Sequence, residues 1–144
     1  MKILMVCLGN ICRSPLAHGM FEYLVKQQGL DWEIDSAGTG SWHIGNPPDR
    51  RSIAVAKRNG IDIAKQRARQ FQLADFDEFD HILVMDHQNY RDVTAMAQTQ
   101  EQRNKVQLFI ADDIVPDPYF DDSHFEPVFK LIKEQSEKLI EELK

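Results

Sequence analysis

Residues 6–15 read Val6-Cys7-Leu8-Gly9-Asn10-Ile11-Cys12-Arg13-Ser14-Pro15, between an apolar run and the start of a helix. This stretch constrains the fold more than any other, because it sets a cysteine and an arginine on one short loop. Ile3-Leu4-Met5-Val6 is a short continuous apolar run ended by a turn signal, the pattern of a parallel strand buried on both faces. Ser14-Pro15 then opens a helix, since serine caps and proline is tolerated in the first turn. A strand–loop–helix unit aims loop N–H groups and the positive end of the helix at one point, which suits a bound oxyanion. The same field favours a nucleophilic thiolate at Cys7. Arg13 adds a planar, permanently charged fork that matches two phosphate oxygens. Leu8, Gly9, Asn10, Ile11 and Cys12 supply the backbone around that point. Gly9 and Asn10 both tolerate the left-handed turns that point successive N–H groups inward.

Periodicity along the rest of the chain alternates helix and strand. Leu16, Ala17, Met20, Phe21, Leu24 and Val25 form a helical stripe over 15–29, stopped by Gly29. Trp32 and Ile34 mark a second strand that leads into a loop over 36–48. Residues 49–59 read as a helix ending at Asn59-Gly60. Ile82 to Met85 and Val106 to Ile110 are two further strands with one helix expected between them. Phe125, Val128, Phe129, Ile132, Leu139, Ile140 and Leu143 are the stripe of a long terminal helix. Such alternation predicts an α/β fold: a parallel sheet with right-handed crossovers, covered by helices on both faces. Ligands of such sheets bind at the carboxyl ends of the strands. Cys7, Ser36, Asp86 and Asp117 follow the four strands in turn, so they share one rim.

A chain of 144 residues suits one domain, 1–144, with a sizeable core. Its formal net charge of −6 argues against nucleic acid, which needs a concentrated basic face. The N-terminal apolar run meets Gly9-Asn10 and Arg13 too soon to be a signal peptide or a membrane span. A cytoplasmic protein with no membrane partner is the expectation. Cys7 and Cys12, the only two cysteines, lie too close in sequence for a disulfide framework. The five histidines show no metal spacing and read as surface or packing residues, so neither metal nor cofactor is expected. No Gly-Lys-Ser/Thr follows the loop, which removes the nucleotide-binding reading.

The C-x5-R-S run containing Gly-Asn-Ile-Cys closely resembles the low-molecular-weight protein tyrosine phosphatases. Three further stretches match that family in order: Asp35-Ser36-Ala37-Gly38-Thr39-Gly40 with Trp42 and Gly45-Asn46-Pro47-Pro48-Asp49-Arg50, then Ala68-Arg69-Gln70, then Val115-Pro116-Asp117-Pro118-Tyr119. The resemblance implies a four-stranded sheet of order 2-1-3-4. It implies hydrolysis of phosphotyrosine monoesters in protein substrates, through a cysteinyl phosphate and without a metal. A tyrosine kinase is the implied partner that makes the substrate.

Within that reading Cys7 is the nucleophile, and Arg13 binds phosphate and stabilises the transferring group. Ser14 either donates to the thiolate or caps the helix, and one hydroxyl can do both. Ser36 supports Asn10 from the next loop, as the resemblance implies. Taken alone, the run with Asp112, Asp113, Asp117, Asp121 and Asp122 is a solvated acidic loop. The resemblance singles out Asp117, which Pro116 and Pro118 stiffen, as the general acid and later the base for water. Trp42 and Tyr119 are candidate walls for the substrate ring. Two positions depart from the family pattern: Phe120 replaces a frequent second tyrosine, and Gln66 replaces a frequent histidine that supports the loop.

Three rival readings fit the sequence less well. A thiol-coupled arsenate reductase needs a downstream cysteine pair that this chain lacks. Phosphoarginine phosphatases tend to carry Thr at the place of Ile11 and to lack an aromatic at Trp42. A non-catalytic phosphotyrosine-binding module would dispense with Asp117.

Overall fold

In the computed structural model, which describes residues 1–144, the N-terminal apolar run forms β1 (Lys2–Cys7), an inner strand of the sheet. With β2 (Glu33–Gly38), β3 (His81–Val84) and β4 (Val106–Leu108) it makes four strands in the order β2-β1-β3-β4. Every pairing is parallel, as the alternation of elements requires. The α/β class and the strand order both agree with expectation. Six helices connect or cover the strands: α1 (Arg13–Gln27), α2 (Arg50–Arg58), α3 (Asp75–Glu78), α4 (His87–Met96), α5 (Gln100–Asn104) and α6 (Phe125–Leu143).

The period of two along β1 divides its side chains between two cores. Ile3, Met5 and Cys7 enter the larger one, with Leu16 and Phe21 of α1 and Phe129 and Ile132 of α6. Leu4 and Val6 enter the smaller, with Phe76 of α3 and Val93 of α4. Both faces of the sheet are therefore covered. Cys7 is the last residue of β1, paired with Gly38 of β2, so it emerges at the carboxyl rim. No helix is long and apolar enough to cross a membrane.

Several boundaries differ from the sequence pattern. The first helix runs over 13–27 rather than 15–29, and Gly29 follows it at φ +68°, a conformation that glycine adopts freely. Between β3 and β4 lie two helices, not one. Thr99 starts the second by accepting from the Gln102 amide at 3.1 Å, a local cap that apolar periodicity does not register. The four-residue α3 lacks enough turns to show a stripe. β4 stops at Leu108: the Phe109 amide still reaches Val84 O at 2.8 Å, but Ile110 O then accepts from Asp113 and turns the chain.

Candidate active site

Helix α1 starts at Arg13, and the residue before it, Cys12, makes no side-chain cap bond. Ser14 consequently lies in the first helical turn and is not the cap. Its Oγ is 3.1 Å from Cys7 Sγ, and the Asn10 amide N–H also reaches that sulfur, at 3.3 Å. The direction of the Ser14 bond follows from its neighbours. Asn10 accepts from the Arg69 amide through Oδ1 at 3.0 Å; a backbone N–H can only donate, so the other side-chain atom of Asn10 is the nitrogen. That Nδ2 donates to Ser14 Oγ at 2.8 Å. The hydroxyl proton of Ser14 is then free to point at the sulfur, and a thiolate at Cys7 receives two hydrogen bonds.

The expected support of Asn10 by Ser36 is absent. Ser36 lies within β2, opposite Met5, and its hydroxyl is 3.0 Å from His18 Nδ1. Asn10 is held instead by Arg69 and Ser14. Gln66, at the position of the frequent family histidine, donates to Pro15 O at 3.2 Å and so braces α1 rather than the loop.

The loop carbonyls show where its N–H groups point. Cys7 O accepts from Thr39, Leu8 O from Gly40, Ile11 O from Asp49 and Cys12 O from Leu16, at 2.9, 2.9, 2.8 and 3.3 Å. A trans peptide directs its N–H opposite to its carbonyl. The amides of Leu8, Gly9, Cys12 and Arg13 therefore face away from those partners, and none of them donates to an acceptor within the protein. Free donors on a curve around a thiol form an anion cradle. The turn needs Asn10 at φ +57°. It also needs Gly38, where an added Cβ would stand 2.8 Å from Leu8 O and 3.1 Å from Asn10 N.

Arg13 is buried, 3% exposed, and only one edge of its guanidinium is committed. Nη1 donates to Asp86 Oδ2 at 2.8 Å and to Val115 O at 2.9 Å. Nε and Nη2 make no hydrogen bond within the protein, and this free edge is the fork that fits two oxygens. Burial alone would lower the pKa of Arg13, but the charges of Cys7, Asp86 and Asp117 outweigh it and raise the pKa. Asp86 serves twice, since its other oxygen accepts from Asn89 N at 2.8 Å and caps α4. The sequence put Asp86 on the rim without giving it a role. Its signal was a lone acid between a strand and a helix start.

A cleft of about 590 Å³, open solvent at its mouth included, rises from the loop. Cys7 and Arg13 lie at its base, and Trp42, Asp117 and Tyr119 line it, as the sequence grouped them. Trp42 is 70% exposed, free to meet a ring. Asp117 Oδ2 stands 4.0 Å from Arg13 Nη2, and its Oδ1 accepts from Tyr119 N at 3.1 Å. Two lining residues were not among the sequence candidates. Phe120 is 89% exposed and packs edge-on against Tyr119 at 5.1 Å. His43, read as a surface or packing residue, lies over Gly9, where an added Cβ would come within 3.1 Å of its ring. Cys12 is buried but also borders the cleft, and burial first, then the charges of Asp49, Cys7 and Asp117, push its thiol up to about 12.

Fold and site together define an α/β protein with a cysteine–arginine oxyanion loop at the end of an inner strand. A family model described as low molecular weight phosphotyrosine protein phosphatase matches residues 2–144, and the chain belongs to that family. It is 41% identical over an alignment of 148 positions to the low molecular weight protein-tyrosine-phosphatase YfkJ of Bacillus subtilis, covering 96% of this chain and 93% of that one. The crystal structure of a protein tyrosine phosphatase from Entamoeba histolytica with Hepes in its active site superimposes with a TM-score of 0.93 at 34% identity, covering 99% and 96% of the two chains. The Drosophila arginine phosphatase superimposes with a TM-score of 0.92, also at 34% identity, covering 100% and 98%.

Proposed function

We propose that residues 1–144 form one catalytic domain that hydrolyses phosphotyrosine monoesters of protein substrates through a cysteinyl phosphate, without a metal or cofactor. The observation that carries this reading is the two-donor environment of Cys7 Sγ inside a cradle of free amides. Cys7 Sγ attacks phosphorus in line while the equatorial oxygens meet the cradle and the free edge of Arg13. The ester bond to the tyrosyl oxygen breaks, and Asp117 gives that oxygen its proton. Asp117, now a carboxylate, takes a proton from water, which attacks phosphorus and returns Cys7 as thiolate and phosphate as product. Leu8, Gly9, Asn10, Ile11, Cys12 and Ser14 complete the phosphate subsite, Trp42 and Tyr119 flank the ring, and Ser36 acts only through β2.

The aromatic walls favour a flat phenolic ester over phosphoarginine, the other chemistry found on this fold. The loop also holds Ile11 where the arginine phosphatases tend to carry Thr. Two free buried thiols suit a reducing cytoplasm, where a tyrosine kinase supplies the substrate. Rapid quenching with phosphotyrosine peptide, followed by mass spectrometry, tests the mechanism, with a phosphate adduct on Cys7 expected. An adduct on a histidine or an aspartate refutes it. Turnover of phosphoarginine in preference to phosphotyrosine overturns the substrate class.

A further inference from the structure

We infer that Arg51, in the first turn of α2, is a positioning residue that holds the segment bearing Asp117 and Tyr119 against the phosphate loop; this rests on the phosphatase reading above. Few polar contacts fix that segment, although its Pro118 is buried. From Pro116 to His124, two side-chain ties reach the rest of the protein, the 4.0 Å approach of Arg13 to Asp117 and a 2.6 Å bond from Arg51 Nη1 to Asp122 Oδ1, beside the backbone bond from Phe125 N–H to Asp122 O that leads into α6. The remaining bonds of the segment close on itself, from Tyr119 N to Asp117, from Asp121 N to Pro118 O and from Ser123 to Asp121. No regular helix or strand spans 109–121. Without an outside anchor, the proline pair fixes only the local path of the backbone.

Arg51 is well placed to be that anchor. Its Nε and Nη2 fork both oxygens of Asp49, at 3.0 and 2.9 Å, and this bond holds the Asp49 carboxyl below its ordinary range. Asp49 in turn donates its backbone N–H to Ile11 O of the phosphate loop at 2.8 Å. On the other side, the guanidinium carbon lies 5.5 Å from the centroid of the Tyr119 ring and 4.5 Å from that of Phe125, within cation–π reach of both. One side chain thus links the loop that binds phosphate, the ring that walls the cleft and the far end of the acid segment. All three guanidinium nitrogens are used, and a lysine cannot reproduce that fork.

The test compares Arg51→Ala, Arg51→Lys and Asp122→Asn with the wild-type chain. Three readouts are taken: kcat and KM for a phosphotyrosine peptide, the same for p-nitrophenyl phosphate, and inhibition by inorganic phosphate. Loss of the anchor moves the acid and the wall but not the cradle. For Arg51→Ala, kcat/KM on phosphotyrosine is expected to fall about 10- to 100-fold, through both a lower kcat and a higher KM. The activated nitrophenyl ester, which departs without a proton, should lose much less, and the phosphate inhibition constant should stay within about 2-fold. Lysine should restore only part of the loss. Asp122 is 86% exposed at its side chain, so Asp122→Asn cannot threaten the fold. It should shift phosphotyrosine kinetics in the same direction by about 2- to 5-fold, the scale of an exposed pair.

Wild-type kinetics in both Arg51→Ala and Asp122→Asn overturn the proposal. So does an equal loss on both substrates and on phosphate binding, which would make Arg51 a support of the loop alone. If Arg51→Ala does not fold, Asp122→Asn decides. A wild-type chain that turns over neither ester sinks the phosphatase reading itself, a result distinct from an active wild type with indifferent variants.

Discussion

Asn10 concentrates three demands in one buried side chain, and its replacement gives a worked test of the loop. Asn10→Ala removes the acceptor of the Arg69 amide and the donor to Ser14 Oγ. A stranded donor costs about 1–3 kcal/mol and a lost hydrogen bond about 1 kcal/mol. Alanine must also adopt the φ of +57° that asparagine tolerates, at about 1–2 kcal/mol. The expected loss is about 3–6 kcal/mol. Asn10→Gly separates these contributions, because it loses the same two bonds without the left-handed penalty but carries more entropy in the unfolded chain. The glycine variant should therefore be about 0.5–1 kcal/mol more stable than the alanine one. Urea unfolding read as a shift in midpoint at constant slope measures both. In parallel, iodoacetate alkylation of Cys7 should slow in both variants, since Ser14 loses the partner that orients its hydroxyl toward the sulfur. An alanine variant within about 0.5 kcal/mol of wild type would refute the argument that these bonds carry stability. An alanine variant more stable than the glycine one would refute the backbone argument.

Asp117→Asn should slow phosphorylation of Cys7 by about 100-fold or more with phenols of high pKa and much less with nitrophenol; single-turnover rates over a phenol series check this, and an unchanged leaving-group dependence moves the acid elsewhere. The raised pKa of Cys12 has a defined sign. Its neutral form is favoured by folding, so its stabilisation is complete below the ordinary value of 9.0 and is lost as pH rises toward about 12. Between those limits the wild type should lose up to about 1.4 kcal/mol per pH unit relative to Cys12→Ser, measured by paired urea titrations; parallel curves would refute it. Asp86→Ala should destabilise the protein by about 3 kcal/mol or more, because it leaves Arg13 buried without its carboxylate and uncaps α4, and Asp86→Asn should cost less; a loss under 1 kcal/mol by urea unfolding would count against that role.

How much of this was legible in the sequence depended on the range of each interaction. The strand–loop–helix unit is local, so the apolar run at Ile3–Val6 and the Cys7–Pro15 stretch fixed its place and its chemistry. Strand alternation likewise identified the α/β class, and the order of strands came with the family resemblance. The partners that hold the loop lie far away in the chain. Arg69 meets Asn10 across 59 residues, Asp86 meets Arg13 across 73, and Val115 meets Arg13 across 102. No periodicity reports such a pairing. Ser36 went wrong for a related reason. Its place beside the loop was implied, but the direction of its side chain depends on strand register, and register gave it to His18. Of the two readings of Ser14, the cap failed because a helix start is uncertain by a residue or two, whereas the donor to the thiolate agrees with the 3.1 Å approach of its Oγ to Cys7 Sγ.

The cradle shows why those distant ties matter to the chemistry. Amides that must stabilise charge in a transition state are useful only if they already point the right way, because turning them during the reaction would consume the stabilisation they provide. In this protein their orientation comes from the opposite end of each peptide. Thr39 and Gly40, just beyond β2, and Asp49, before α2, hold the carbonyls of Cys7, Leu8 and Ile11 outward. The free N–H groups are thereby directed inward with no bond of their own. The first of these tethers follows Gly38, whose missing side chain lets the two backbones meet. Gly38 therefore serves the cradle although it does not line the cleft, and its place in the second matching stretch becomes intelligible as a packing requirement. The same logic extends to Asp49, which holds Ile11 through its backbone and Arg51 through its carboxylate. Under the proposed mechanism the phosphate subsite and the acid segment are thus referenced to one residue, which is what in-line displacement of the tyrosyl oxygen by Cys7, with Asp117 as its proton donor, needs from a scaffold.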